Sequence, residues 1–295
     1  MRNVLDRVKA GEILFVDGGM GTFLQAKGLK PGECPELWCI DRPEEVKDVH
    51  RQYRAAGSDM VETNSFGGTT YKLKHYGLAD RCAEINRAAA AIAREVAGDT
   101  QHVLASAGPT GQFMEPLGDE TEAAFYAAFK TQVMALEAGG ADVLIAETMT
   151  ALEELLVVIR AAKENTKLVV VASMTFDPKA DGSGYATMMG VTPERFAEKA
   201  VAGGADIIGT NCGLGPAHMV KIVKALRSVD KNVPIMAMPN AGMPKLVGDK
   251  TVFAETPEQM AAKAPELVAA GANIVGGCCG TGPAHIAAMR KAIRG

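Results

Sequence analysis

No stretch of this 295-residue chain is long and apolar enough to cross a bilayer as a helix. The opening, MRNVLDRVKAGEILFVDGG, interrupts its apolar runs with charges and lacks the hydrophobic centre of a secretory signal. That argues against export, and a cytoplasmic protein is expected. An excess of positive charge is missing too: 31 Lys and Arg stand against 35 Asp and Glu, a formal net charge of −4. Nucleic acid and anionic membrane are thereby disfavoured as main partners. Cysteine is sparse, with six residues at 34, 39, 82, 212, 278 and 279, so this is no small disulfide scaffold. In a reducing compartment such thiols stay free for metal or catalysis. Neither a GxGxxG nor a P-loop pattern occurs, which weakens any phosphate-binding reading.

What is present is ordinary globular material, 47% hydrophobic and 22% charged. Short apolar runs rich in Val and Ile recur: ILFVD (13–17), DMVETN (59–64), HVLASA (102–107), DVLIAE (142–147), LVVVASM (168–174), DIIGTN (206–211), VPIMAMP (233–239) and NIVGGC (273–278). They are too short and too continuously apolar for amphipathic helices, and fit strands buried on both faces of a parallel sheet. Helix-like stretches lie between them, such as EEVKDVHRQYRAA, RCAEINRAAAAIAREVA, EAAFYAAFKTQVMALEA and TPERFAEKAVA. Eight strands alternating with helices predict an α/β fold, a (β/α)₈ TIM barrel forming one domain over residues 1–295.

An internal repeat supports the barrel. AAGSDMVETN, AGGADVLIAE, AGGADIIGTN and AAGANIVGGC each close a helix on small residues and pass through Asp or Asn into a strand. Gly57, Gly140, Gly204 and Gly271 read as helix C-caps. Seven residues beyond each come Asn64, Glu147, Asn211 and Cys278, at the C-terminal ends of strands 2, 4, 6 and 8, the face on which such barrels carry their sites. A second repeat is sharper. Cys212 opens CGLGPAHM and Cys279 opens CGTGPAHI, each with Pro placed for the first turn of a helix.

Cys212, Cys278 and Cys279 thus come from strands 6 and 8, and alternate strands feed one layer of a barrel. Soft thiolates favour Zn²⁺, and three of them leave a coordination position open, as catalytic rather than structural sites do. A metal-coordinated thiol loses its proton, so such a site can produce a thiolate nucleophile near neutral pH. Inert core thiols, a vicinal disulfide at 278–279 and a phosphate-binding turn are the competing readings. Cys34, Cys39 and Cys82 lie outside strand ends and receive no role. His218 and His285 sit on the helices that follow the cysteine corners, where packing or capping suits them better than ligation.

These motifs resemble the zinc-dependent homocysteine S-methyltransferase family, nearest to the homocysteine-binding module of cobalamin-dependent methionine synthases. The resemblance runs through VDGGMGTFLQ (16–25), VETNSFGGT (61–69), AGPTG (107–111), IAETM (145–149), TNCGLGP (210–216), MPNAGMP (238–244) and GGCCGTGPAHI (276–286). It implies one zinc ion on Cys212, Cys278 and Cys279, with homocysteine as the further ligand. It also implies that Asp17, the Gly18–Gly19 backbone, Glu62, Asn64, Ser65 and Glu147 surround the amino acid moiety. Asn240 resembles a residue that can take the open zinc position when substrate is absent. Met20 and Phe23 are candidate walls.

No donor module follows the eighth helix, so a methyl-corrinoid on a separate protein is the expected methyl source. S-methylmethionine and betaine are the alternatives, and only one Trp, five Tyr and nine Phe are available for a quaternary-ammonium cage. A non-catalytic corrinoid-docking or thiol-binding subunit, and a barrel lyase with incidental zinc, complete the functional readings.

Overall fold

The apolar runs all become strands. A computed structural model describes residues 2–248 and 250–295. Its main sheet holds eight parallel strands: β1 (Leu14–Phe15), β2 (Met60–Glu62), β3 (His102–Ala107), β4 (Val143–Met149), β5 (Val169–Met174), β6 (Ile207–Asn211), β7 (Ile235–Met238) and β8 (Ile274–Val275). The principal helices alternate with them: α1 (Pro43–Ala55), α2 (Cys82–Ala97), α3 (Glu122–Ala138), α4 (Leu152–Asn165), α5 (Pro193–Ala202), α6 (Pro216–Val229), α7 (Pro257–Ala270) and α8 (Pro283–Arg294). Shorter helices and two antiparallel hairpins, Asp177–Pro178 with Tyr185–Ala186 and Pro244–Val247 with Lys250–Phe253, decorate the connections. Among the described residues no helix is long and apolar enough to cross a membrane.

β1 pairs with β8, Leu14 opposite Ile274, and the ladder then runs through β7, β6, β5, β4 and β3 to β2. The barrel is nearly closed. At the seam between β1 and β2, aspartates replace the ladder. The Asp59 amide donates to Phe15 O (2.6 Å), its carboxylate accepts the Phe15 amide (3.0 Å), and Asp17 accepts the Glu62 amide (2.8 Å).

The Asp or Asn of the first repeat has a structural role of its own. Asp142, Asp206 and Asn273 accept the amides of Val103, Val170 and Ile235 at 2.8 to 3.0 Å, as Asp59 does for Phe15. Each thereby ties the foot of one strand to the one before. Gly57, Gly140, Gly204 and Gly271 all adopt positive φ, between +92° and +116°, as the C-cap reading requires. For the first three the helix ends one residue earlier, at Ala56, Gly139 and Gly203.

Strand residues alternate between two apolar layers. Leu14, Val16, Met60, Leu104, Val143, Ile145, Val169, Val171, Ile207, Met236, Met238 and Ile274 fill the barrel, plugged from below by Val4 and Val8 of the helix Val4–Lys9. Leu144, Ala146, Val170, Ala172 and Ile208 face outward onto the helices. Burial on both faces is why the runs read as continuous rather than alternating.

Candidate active site

At the end of β6 the chain turns sharply. Cys212 has φ +61° and Gly213 φ +67°, and the Leu214 amide folds back to Cys212 O (2.7 Å). Left-handed backbone is rare for a residue with a side chain, and here three further hydrogen bonds pin the corners. The Cys212 amide donates to Met238 O (3.2 Å), the Cys278 amide to Pro239 O (2.9 Å), and the Ala241 amide to Cys279 O (3.0 Å). β8 in turn breaks at Gly276–Gly277. A Cβ on Gly277 would stand 2.2 Å from Thr281 Oγ1, so only glycine admits the Thr281 side chain. Thr281 donates to Cys278 O (2.6 Å) and accepts the Gly19 amide at its Oγ1 (3.2 Å), while its carbonyl accepts Tyr53 OH (2.9 Å).

The result is the predicted cluster. The sulfurs of Cys212, Cys278 and Cys279 lie within 4.8 Å of one another, with Cys212 and Cys279 at 3.9 Å. Hydrogen bonds from the Cys278 and Cys279 thiols draw the Cys212 pKa down to about 3. The same coupling lifts Cys278 well above the usual thiol range and Cys279 to about 12. The protein groups alone therefore favour a single negative charge, and a soft divalent cation is what would let all three ionise.

The sulfurs open onto a cavity of about 250 Å³. Gly18, Gly19, Glu62, Asn64, Ser65 and Glu147 line it, and so does Met20. Asp17 stands behind that wall, fully buried, with Oδ1 lacking a partner among the described residues. Asn240 is buried near Cys212, whose thiol pKa it helps to lower, and among the described residues its Oδ1 is likewise unpartnered. Phe23 packs edge-on against Tyr53 instead, with ring centroids 5.8 Å apart. His285 caps its helix, accepting the Gly282 amide (3.1 Å), and His218 meets Tyr185 OH (2.9 Å). Cys34, Cys39 and Cys82 are buried free thiols, and burial raises the pKa of each.

Among the described residues no Lys or Arg lines the cavity, yet Asp17, Glu62 and Glu147 cluster about it. Burial raises all three carboxyl pKa values, and mutual repulsion with Glu147 adds to the rise in Asp17 and Glu62. Glu147 is aimed from two sides: Ser106 OH donates to Oε1 and Asn211 Nδ2 to Oε2 (2.9 Å). Asn211 also donates to Thr148 Oγ1 (2.7 Å) and accepts from the Thr148 amide (2.9 Å) and Ser173 OH (2.7 Å). It thus holds Thr148 at φ +56°. Sequence reasoning placed Asn211 at a strand end but missed its part as the hub of this network. Ser106, Thr148 and Thr281 were missed outright, although Ser106, next to last in its strand, was a signal available.

Comparison with known proteins follows the same lines. The family model described as homocysteine S-methyltransferase matches residues 14–293. The chain is 32% identical over 305 residues to a methionine synthase of Mycobacterium tuberculosis (strain ATCC 25618 / H37Rv), covering 97% of this chain and 25% of that protein. A methionine synthase of Mycobacterium leprae (strain TN) is 31% identical, covering 96% and 24%. The chain therefore spans about a quarter of the length of the curated relatives it matches. In fold it is similar to the crystal structure of the homocysteine methyltransferase MmuM from Escherichia coli in its metallated form. That match has a TM-score of 0.77 at 24% identity and covers 95% of this chain and 96% of that one.

Proposed function

The chain belongs to the homocysteine S-methyltransferase family, and from that premise we propose that it methylates the thiolate of homocysteine to give methionine, with zinc at its three cysteines and a methyl-corrinoid on a separate protein as donor. One observation carries the reading: three convergent sulfurs form one end of a cavity whose other wall presents buried carboxylates. The donor set suits zinc, being three thiols with a further coordination position left for a substrate sulfur. Bound there by Cys212, Cys278 and Cys279, the ion would balance the thiolates and keep the acceptor thiol deprotonated.

The remaining work falls to side chains. Glu147, aimed by Ser106 and Asn211, and Glu62 beside it are placed to pair with the substrate ammonium. That pairing offsets the burial that raises their pKa values. The Gly19 amide is already given to Thr281, so a substrate carboxylate would meet the amides that follow it. Met20, Pro35 and Phe66 wall off water. The acceptor sulfur's lone pair forms the new S–CH₃ bond while the electron pair of the old bond to methyl stays with the donor, so orientation accounts for much of the rate.

Two features support a protein-borne donor. Phe66 is the one aromatic residue among those lining the cavity, too few to cage a quaternary ammonium. Among the described residues the large exposed apolar ones, including Phe66, Phe113, Leu117, Met188, Met243 and Leu246, lie in connections leaving strand C-termini, except Met134. A mouth rimmed in this way suits a partner's surface.

The test compares methylcobalamin, S-methylmethionine and betaine as donors to homocysteine, with zinc measured on the same preparation. Turnover with methylcobalamin alone is expected; preference for either small donor would overturn the corrinoid assignment. Cys278→Ala should lose zinc and transfer together, and full zinc content with normal turnover in that variant would sink the metal reading.

A further inference from the structure

The cavity has one wall that does not come from a strand end. Pro35 and Glu36 line it from the long connection between β1 and α1, far in sequence from the turn Asn64–Gly68 after β2 that they face. Glu36 is a carboxylate only 4% exposed, and among the described residues no ion pair reaches it. Its partners are neutral. The Gly67 amide donates to Oε1 (2.7 Å) and the Cys34 thiol to Oε2 (3.3 Å). Alongside, Asn64 Nδ2 donates to Pro35 O (2.7 Å) and Cys39 Sγ to Asn64 O (3.5 Å).

These contacts join two segments that the barrel ladder leaves free. On one side is Pro35; on the other are Asn64, Ser65 and Phe66, which line the same cavity. The turn is braced from behind as well, by Asn86 Nδ2 on Gly68 O (2.7 Å) and Gln132 Nε2 on Ser65 O (2.9 Å). Glu36 is thus the front clamp of a turn whose rear is fixed by α2 and α3. Gly67 completes the fit, since a Cβ there would stand 2.8 Å from Glu36 Oε1.

We infer that Glu36 is a positioning residue for the acceptor site, latching the Pro35 segment onto the Asn64–Gly67 turn and so closing the cavity around the acceptor. The inference rests on the acceptor reading of the cavity. It acts through the hydrogen bond to Gly67 and not through charge, which a carboxamide can replace.

The variants are Glu36→Ala, Glu36→Gln and Gly67→Ala in the zinc-loaded protein, the last pushing the carboxylate away while keeping it. Losing this buried hydrogen bond should raise the homocysteine KM about tenfold in Glu36→Ala and Gly67→Ala, with kcat within about twofold of wild type. Glu36→Gln should restore KM to within about twofold. Exchange of the Gly67 amide, followed by NMR, should quicken by about tenfold in Glu36→Ala and recover in Glu36→Gln. Unchanged exchange and KM in Glu36→Ala would overturn the latch, as would a Glu36→Gln variant no better than alanine. Should wild type fail to methylate homocysteine, the acceptor reading fails, and the exchange measurement still decides the latch.

Discussion

Replacing Asn211 by Asp changes one atom in the middle of the site and inverts its hydrogen-bonding sense. The side chain is fully buried and keeps its shape, so no cavity is made. The donated bond to Glu147 Oε2 (2.9 Å) disappears, as does the long contact to Cys278 Sγ (4.0 Å), while the Thr148 hydroxyl (2.7 Å) can turn to donate and the bonds accepted from the Thr148 amide and Ser173 OH can persist. Losing the bond to a carboxylate costs about 2 kcal/mol and like-charge repulsion about 1 kcal/mol more, so a loss of about 3 kcal/mol is expected at pH 8. The new carboxylate also faces Glu147, which favours retaining a proton between the two.

That proton gives the deficit a pH signature. A carboxyl whose folded pKa lies above its unfolded value of about 3.9 contributes stability below that value and loses it as pH rises through the folded pKa. The deficit of Asn211→Asp should therefore be largest at pH 8 and shrink by 1 kcal/mol or more toward pH 5.5. Urea unfolding of wild type and variant, both metal-chelated so that zinc does not differ between them, reads this directly. For a chain of this size the midpoint should fall by about 1 M at pH 8. A variant with the wild-type midpoint, or a deficit that grows on acidification, would refute the role of Asn211 as hub.

Two other sites make independent claims. His50 has no exposed surface, neither ring nitrogen has a partner among the described residues, and burial lowers its pKa to about 4. Between about pH 6.5 and 4 the unfolded chain binds a proton that the folded chain refuses, so stability falls as pH drops through that window. His50→Leu removes the penalty, and its unfolding free energy relative to wild type should rise by about 2 kcal/mol between pH 7 and 5; a difference independent of pH would exclude this. Gly277→Ala drives a Cβ into Thr281, which Cys278 O and the Gly19 amide hold in place. It should cost about 2 to 3 kcal/mol and weaken zinc retention, whereas Gly282→Ala, with open space around the added carbon, should leave both intact.

The barrel and its thiols were legible because they leave local traces. A strand covered on both faces must be apolar throughout, and eight such runs were visible; a corner built twice repeats its glycines and proline. Asp59, Asp142 and Asp206 were visible in the same repeat, but their tie to the preceding strand foot depends on strand order, which no local pattern encodes. Asp17 lies two residues past the end of β1 rather than in the strand, and its carboxylate spends one oxygen on the Glu62 amide, a cross-seam bond that cannot be read from spacing. Glu36 was invisible for another reason. It lies in an irregular segment, and its partner Gly67 is joined to it only through the closed barrel.

The pairing of β1 with β8 has a consequence for how the site comes into being. Residue 14 finds its ladder partner at residue 274, and Cys278 and Cys279 lie just beyond. A ribosome must therefore deliver nearly the whole barrel before the first strand can be locked or the third sulfur presented. A metal held by all three sulfurs could be captured only after β8 has been made, and a nascent chain interrupted before β8 holds only one of the three thiols.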